Sequence, residues 1–277
     1  MARFQRLRPA LNTTPTPAFE SIVEVATTAP RSIGVFSDFD GTLSRLIPNP
    51  DDVTPVAGAV DRITQLATTC GLSAIVSGRP VSFLQRFFDP PVELSGLYGI
   101  EHRSGDDVTV DETAVKWMPV ISSVAADATK RFGEGVLEDK TYSLTVHYRR
   151  ETPAVAAAIE AWSEMVATEH GLSARSAKMS IELHPPISRN KGDAVEDMLN
   201  GLTAAVYFGD DIGDCSAFER LLSAKSNGSI QAAAAVLVKG PETPDELTGV
   251  VTDVVSQPTD VVAMLDRLVD AASSAGE

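Results

Sequence analysis

Asp38-Phe39-Asp40-Gly41-Thr42 follows almost directly on the apolar run Ile33-Gly34-Val35-Phe36, and this junction decides the fold. A short apolar run of this kind reads as a buried strand. Residues i and i+2 of the extended segment after it project the same way, so both carboxylates face one point. Gly41 permits the turn that follows. Four specified residues recur by chance on the order of 10⁻⁵ per position, so chemistry is a better reading than an Asp-Gly turn with two solvated acids. Open α/β sheets place their ligands at the carboxyl ends of strands, where these acids stand.

Beyond the junction, short apolar runs alternate with helical periodicity, the mark of a parallel sheet with crossover helices. Thr54-Pro55 predicts a cap and first-turn proline, with Val56, Val60, Ile63, Leu66 and Cys70 on one helical face before Gly71. Leu72 to Val76 predicts a second strand, ending at Ser77-Gly78-Arg79-Pro80, and Leu97 to Ile100 a third, ending at Glu101-His102. The middle of the chain differs. Tyr142, Leu144, Val146 and Tyr148 alternate with polar residues, as do Met179, Ile181 and Leu183, which predicts two-faced strands of an antiparallel sheet. Between them Thr152-Pro153 opens a helix with Val155, Ile159, Trp162 and Val166 on its stripe, closed by Gly171. Lys191 to Leu199 then reads as a helix, Ala204 to Phe208 and Ala234 to Val238 as buried strands, and Val261 to Leu268 as a last helix. The expected architecture is α/β: a doubly wound, Rossmann-like parallel-sheet core over residues 31–105 and 187–277, interrupted by a smaller α/β domain over 106–186. Residues 1–30 read as a leader whose order the sequence leaves open.

The 277 residues fit two domains or one with a large insertion. Lys and Arg number 23 against 38 Asp and Glu, and the net charge of −15 repels phosphate backbones and anionic lipid surfaces. Nucleic acid and membrane are therefore not expected partners. Cys70 and Cys215 lie far apart with no zinc-like spacing and read as reduced thiols. The longest apolar run, Ala232 to Val238, is too short to span a bilayer, and no signal-peptide core follows Arg3, Arg6 and Arg8. The expected location is cytoplasmic.

Ser77-Gly78-Arg79, Lys191 and Gly209-Asp210-Asp211-x-x-Asp214 each fall at or near a strand's carboxyl end or a helix start. Each is weak alone, as a helix cap, a solvated charge or a helix-opening pair of acids. Together they describe a phosphate site beside a divalent cation. Acids clustered with one lysine share a crevice cheaply only with Mg²⁺, which prefers carboxylate oxygen to nitrogen or sulfur.

In chain order these four motifs resemble those of the haloacid dehalogenase superfamily of phosphatases. Within it, Leu97-Tyr-Gly-Ile-Glu-His-Arg, Glu138 to Arg149, Lys178-Met-Ser-Ile-Glu-Leu and Tyr207-Phe-Gly-Asp-Asp are similar to the trehalose-6-phosphate phosphatase family. Gly213 and Cys215 depart from the family's Gly-Asp-Asp-x-Thr-Asp-Glu, and His184 stands where an arginine is common. The resemblance implies that Asp38 is the nucleophile and forms an aspartyl-phosphate, and that Asp40 is general acid, then base. It implies Mg²⁺ held by Asp38, the backbone carbonyl of Asp40 and Asp210, with Asp211 and Asp214 nearby, while Ser77 and Lys191 hold phosphoryl oxygens. It makes the inserted domain a cap that reads a small-molecule sugar phosphate. Gly78, Arg79, Glu101, His147, Arg149, Lys178 and Glu182 are then the expected substrate-binding residues, with Ser180 and His184 on the same polar faces. Every half-buried antiparallel sheet has a polar face, so solvated side chains are the bland alternative for the cap. His170, in a helix's last turn, suits the dipole, and Trp117 and Trp162 read as cap core. Three functions stay open: a trehalose 6-phosphate phosphatase, a phosphatase for another sugar phosphate such as that of sucrose or mannosylglycerate, and a regulatory protein that keeps the fold without turnover. The oligomeric state is open, with a monomer favoured.

Overall fold

The computed structural model describes residues 16–47, 49, 52–177, 179–240 and 243–275. In chain order the first elements are α1 (Pro17–Thr28), β1 (Ile33–Ser37), α2 (Ala59–Thr69), β2 (Leu72–Val76), α3 (Val81–Leu84), β3 (Glu93–Gly96), β4 (Glu101–Ser104) and β5 (Asp107–Val110). There follow α4 (Glu112–Val115), α5 (Met118–Phe132), β6 (Leu137–Asp139), β7 (Leu144–His147), α6 (Pro153–His170), β8 (Ser173–Ala177) and β9 (Ser180–His184). The chain closes with α7 (Lys191–Met198), β10 (Ala204–Gly209), α8 (Cys215–Ser226), β11 (Ala232–Val238), β12 (Asp253–Val255) and α9 (Pro258–Ser274). These group into two compact units, one built from the chain up to Thr109 and from Arg189 onward, the other from Val110–Ser188. No helix among the described residues is long and apolar enough to cross a membrane.

The first unit is a sheet in the order β12-β11-β10-β1-β2-β3-β4-β5. It is parallel from β12 to β3 and turns antiparallel at β4. Strand alternation feeds two cores. Ile33, Val35, Val206 and Phe208 join α1, α2 and α9 through Phe19, Ile63, Leu66 and Leu265, while Phe36, Ala205 and Tyr207 join α7 and α8 through Val195, Phe218 and Leu221. Burial on both faces is why these strands are continuous apolar runs rather than alternating ones. The second unit is an antiparallel sheet in the order β6-β7-β9-β8. Leu144, Val146, Ile181 and Leu183 form its apolar face and pack on Ile121, Val124, Ile159 and Trp162. Helix α6 starts and stops where the sequence predicts: Thr152 Oγ1 accepts from Val155 N, Pro153 opens the first turn, and Gly171 closes it at φ +68°.

The structure corrects the sequence reading in four places. Residues 17–28, assigned to the leader, form a helix because Phe19, Ile22 and Ala26 make a stripe that is buried in the core; residues 1–15 lie outside the described ones. Helix α2 begins at Ala59, after Gly58 in the left-handed region, and not at Thr54-Pro55, where Pro55 instead bridges to Ser44. Leu97 to Ile100 is not a strand: Leu97 and Tyr98 have φ of +49° and +58°, and the strands are β3 before and β4 after. The alternation that placed Met179 with Ile181 and Leu183 stops at Ser180, since Met179 is an exposed turn residue at φ +58° before β9, and β8 precedes that turn.

Candidate active site

Strands β10, β1 and β2 are neighbours, and their carboxyl ends carry Asp210, Asp38 and Ser77. The Asp38 N–H donates to Phe208 O at 2.8 Å, extending the β1–β10 ladder, so the sheet itself fixes the backbone of this acid. Lys191 is the first residue of α7, whose N-cap Asn190 forms a capping box with Asp193. Its ammonium lies 3.0 Å from Asp38 Oδ1 and 2.7 Å from Asp214 Oδ1, and Lys191, Asp38 and Asp214 are all buried. Asp214 accepts two further contacts on Oδ2, from Asp210 N at 2.9 Å and Asp211 N at 3.2 Å, and Tyr207 donates its hydroxyl to Oδ1 at 2.6 Å. Gly41 sits at φ +77°, and a Cβ there would run into the Asp210 carboxylate. The glycine therefore serves the turn and the approach of the two acidic loops together.

Burial pushes the Asp38 carboxyl well above its ordinary range, the nearby carboxylates add to that, and Lys191 opposes it. Burial and the charges of Asp38, Asp214 and Asp211 raise Asp210 to about 9. For Lys191, burial disfavours the charge, but Asp214 and Asp38 outweigh it and keep the ammonium protonated. Oxygens of Asp38, Asp210 and Asp214 lie within 4.8 Å of one another. A set made wholly of carboxylate oxygen, whose ionised form carries more negative charge than one lysine offsets, fits Mg²⁺. Asp214 already accepts from four donors, so Asp38 and Asp210 offer the more available oxygens. Asp211 is exposed, its Oδ1 accepts from Gly213 N at 2.8 Å, and it stands outside this set.

The Ser77-Gly78-Arg79 segment is fixed by the strained turn that follows β3. Leu97 N donates to Arg79 O at 3.0 Å, Tyr98 N to Ser77 O at 3.1 Å, and Gly78 lies against the Tyr98 ring. Glu101 accepts from Val81 N at 2.6 Å, and burial raises its pKa, so this carboxylate braces the segment. Arg79 reaches Asp40 through two hydrogen bonds, Nε to Oδ2 at 2.7 Å and Nη2 to Oδ1 at 2.9 Å, with its guanidinium over the Phe83 ring. Arg79 therefore grips Asp40, and Glu101 holds backbone. Sequence reasoning quoted Tyr98, Tyr207 and Thr42 within its motifs but gave them no role; the Thr42 Oγ1 is buried without a hydrogen-bond partner among the described residues. Alternation along β10 was a signal for Tyr207, since it points residue 207 toward α7 and α8.

In the second unit Glu182 is buried and accepts from Lys140 Nζ at 3.3 Å and Ser143 Oγ at 3.0 Å. His147 Nε2 lies 2.9 Å from Glu138 Oε2, Arg149 is exposed, and Ser180 is buried. His184 Nδ1 lies 2.9 Å from Pro185 O. Lys178 lies outside the described residues. Of these partners Ser143 is one of the polar residues of the alternation, and Lys140 lies outside that pattern.

The family model described as trehalose-phosphatase matches residues 36–247. Among curated proteins, the trehalose-phosphate phosphatase of Mycobacterium ulcerans (strain Agy99) is 36% identical over 204 residues, covering 69% of this chain and 52% of that protein. The chain thus spans about half the length of the curated relatives it matches. Among solved structures, the C-terminal domain of a trehalose-6-phosphate phosphatase from C. albicans superposes with a TM-score of 0.72 at 20% identity, over 93% of this chain and 98% of that one. A trehalose-6-phosphate phosphatase related protein gives 0.70 at 22% identity, over 84% and 95%. At these identities the two structures support the fold.

Proposed function

The chain belongs to the trehalose-phosphatase family, and from that premise we propose that it hydrolyses trehalose 6-phosphate to trehalose and phosphate with Mg²⁺ bound. The observation that carries this reading is the buried carboxylate of Asp38, 3.0 Å from Lys191, within a cluster of acids at the carboxyl end of the central strand. Asp38 attacks phosphorus in line, the bond to the sugar oxygen breaks, and the phosphoryl group rests on Asp38 as an acyl phosphate. Asp40, once its pair with Arg79 has opened and one oxygen has taken up a proton from solvent, gives that proton to the departing sugar oxygen and then takes one from the water that hydrolyses the acyl phosphate. Arg79 holds both Asp40 oxygens through paired hydrogen bonds in the structure, so in this reading the pair opens for turnover. Lys191 and the Ser77 hydroxyl hold phosphoryl oxygens, and such preorganised donors supply much of the rate where the protein has little covalent work. Asp38, Asp210 and the backbone carbonyl of Asp40 would hold Mg²⁺, which would supply neutralisation of negative charge in the site.

Residues 110–188 act in this reading as the cap that selects the sugar. The test is phosphate release from trehalose 6-phosphate, glucose 6-phosphate and sucrose 6-phosphate, each with Mg²⁺ and with EDTA. Preference for the first, lost in EDTA and restored by Mg²⁺, is the expected result. Preference for another sugar reassigns the cap, full activity in EDTA removes the metal, and no release from any substrate returns the chain to a regulatory role.

A further inference from the structure

Tyr207 has a place in the Tyr-Phe-Gly-Asp-Asp stretch but no part in the chemistry above. Strand alternation turns it toward α7 and α8, where its ring meets Phe218 edge-on at 5.5 Å. Its hydroxyl donates to Asp214 Oδ1 at 2.6 Å, and that oxygen is 2.7 Å from Lys191 Nζ, itself 3.0 Å from Asp38 Oδ1. A line of contacts runs from the phenol to the nucleophile. The other Asp214 oxygen takes the backbone N–H groups of Asp210 and Asp211, so the same carboxylate also fixes the second acidic loop. Packing does not ask for the hydroxyl: fully buried positions on β1 and β10 are filled by Phe36 and Phe208. A buried phenol is costly unless it is bonded, and this one is bonded to the single carboxylate that joins both halves of the site.

We propose that Tyr207 is a positioning residue: its hydroxyl fixes the Asp214 carboxylate, which holds Lys191 on Asp38 and sets the backbone that presents Asp210. The role rests on the reading of Asp38 as the nucleophile. A single missing hydrogen bond would let the Asp214 carboxylate rotate and would loosen lysine and loop together, which acts on the reacting geometry more than on sugar binding.

Tyr207→Phe keeps the ring and removes only the hydroxyl. Its kcat on trehalose 6-phosphate should fall about 10- to 100-fold with KM changed less than about twofold, the scale of a hydrogen bond to a charged group. Calorimetric titration with Mg²⁺, which needs no turnover, should show binding weakened by roughly threefold or more, as for lost support of metal ligands. Phe218→Leu is the control: it loosens the same ring without touching the hydroxyl, and should lower the thermal midpoint while sparing kcat and Mg²⁺ affinity. Wild-type kcat and affinity in Tyr207→Phe, or equal losses in Phe218→Leu, would overturn the proposal. A wild-type protein without phosphatase activity would defeat the functional reading, whereas the Mg²⁺ titration would still decide the role of Tyr207.

Discussion

Asp38 and Lys191 form a buried pair, 3.0 Å apart, with the carboxyls of Asp210 and Asp214 beside it. Asp38→Asn removes the proposed nucleophile and almost no volume, so turnover should vanish while far-ultraviolet circular dichroism stays as in wild type. A variant with more than about a tenth of wild-type rate would exclude covalent catalysis at this position. Burial, with the charges of Asp38, Asp214 and Asp211, raises the Asp210 carboxyl from an ordinary 3.8 to about 9. Below 3.8 both folded and unfolded chains are protonated; between the two values the folded chain binds more protons, so stability falls as pH rises, by at most about 1.4 kcal/mol per pH unit per group. A bound Mg²⁺ would take the ionised form. The thermal midpoint in EDTA should therefore decline from pH 5 to 9, the gain from Mg²⁺ should grow over the same range, and Asp210→Asn should make both curves shallower, the raised Asp38 carboxyl contributing the remainder. A midpoint gain from Mg²⁺ that shrinks with rising pH would refute this account.

Helix α7 brings Lys191 to the sheet, and its second residue is what lets it come close. A Cβ on Gly192 would run into the backbone carbonyl of Ser216 at the start of α8, which cannot yield as a flexible side chain can. Gly192→Ala should push α7 and α8 apart at the lysine's own turn. Overpacking of this kind costs about 1 to 3 kcal/mol, or roughly 2 to 10 °C in thermal midpoint for a chain of this size. Activity should fall in the fraction that remains folded, because Lys191 moves with the helix. An unchanged midpoint in differential scanning calorimetry would mean that the contact relaxes freely.

Across the molecule, the proposed chemistry lies in one compact unit and the polar strands expected to read the sugar lie in the other. Glu182 is the buried acceptor for Lys140 and Ser143 of its own unit. Glu182→Ala leaves both without that acceptor, at a cost of about 1 to 3 kcal/mol, or roughly 5- to 150-fold in kcat/KM where the group contacts substrate. The loss should be much larger on trehalose 6-phosphate than on p-nitrophenyl phosphate, which lacks sugar hydroxyls. Equal losses on the two would assign Glu182 to the integrity of its own unit and leave the sugar to other side chains.

Local chemistry made a good part of this legible. Apolar runs of four or five residues marked β1, β2 and β10, Thr-Pro and Gly marked the ends of α6, and the acids stood where the strands stopped, because burial periodicity and caps are written within a few residues. A Thr-Pro pair misled at α2, where Gly58 in the left-handed region sets the start, and an apolar run misled at Leu97 to Ile100, where contacts with Ser77 and Arg79 hold two residues in that same region. Only the tertiary structure decided that Arg79 grips Asp40, that Glu101 braces Val81, that Glu182 pairs with Lys140, and that Tyr207 reaches Lys191 through Asp214. Periodicity tells which face of an element is buried, but a polar side chain's partner is fixed by strand order and by helices that arrive from distant parts of the chain.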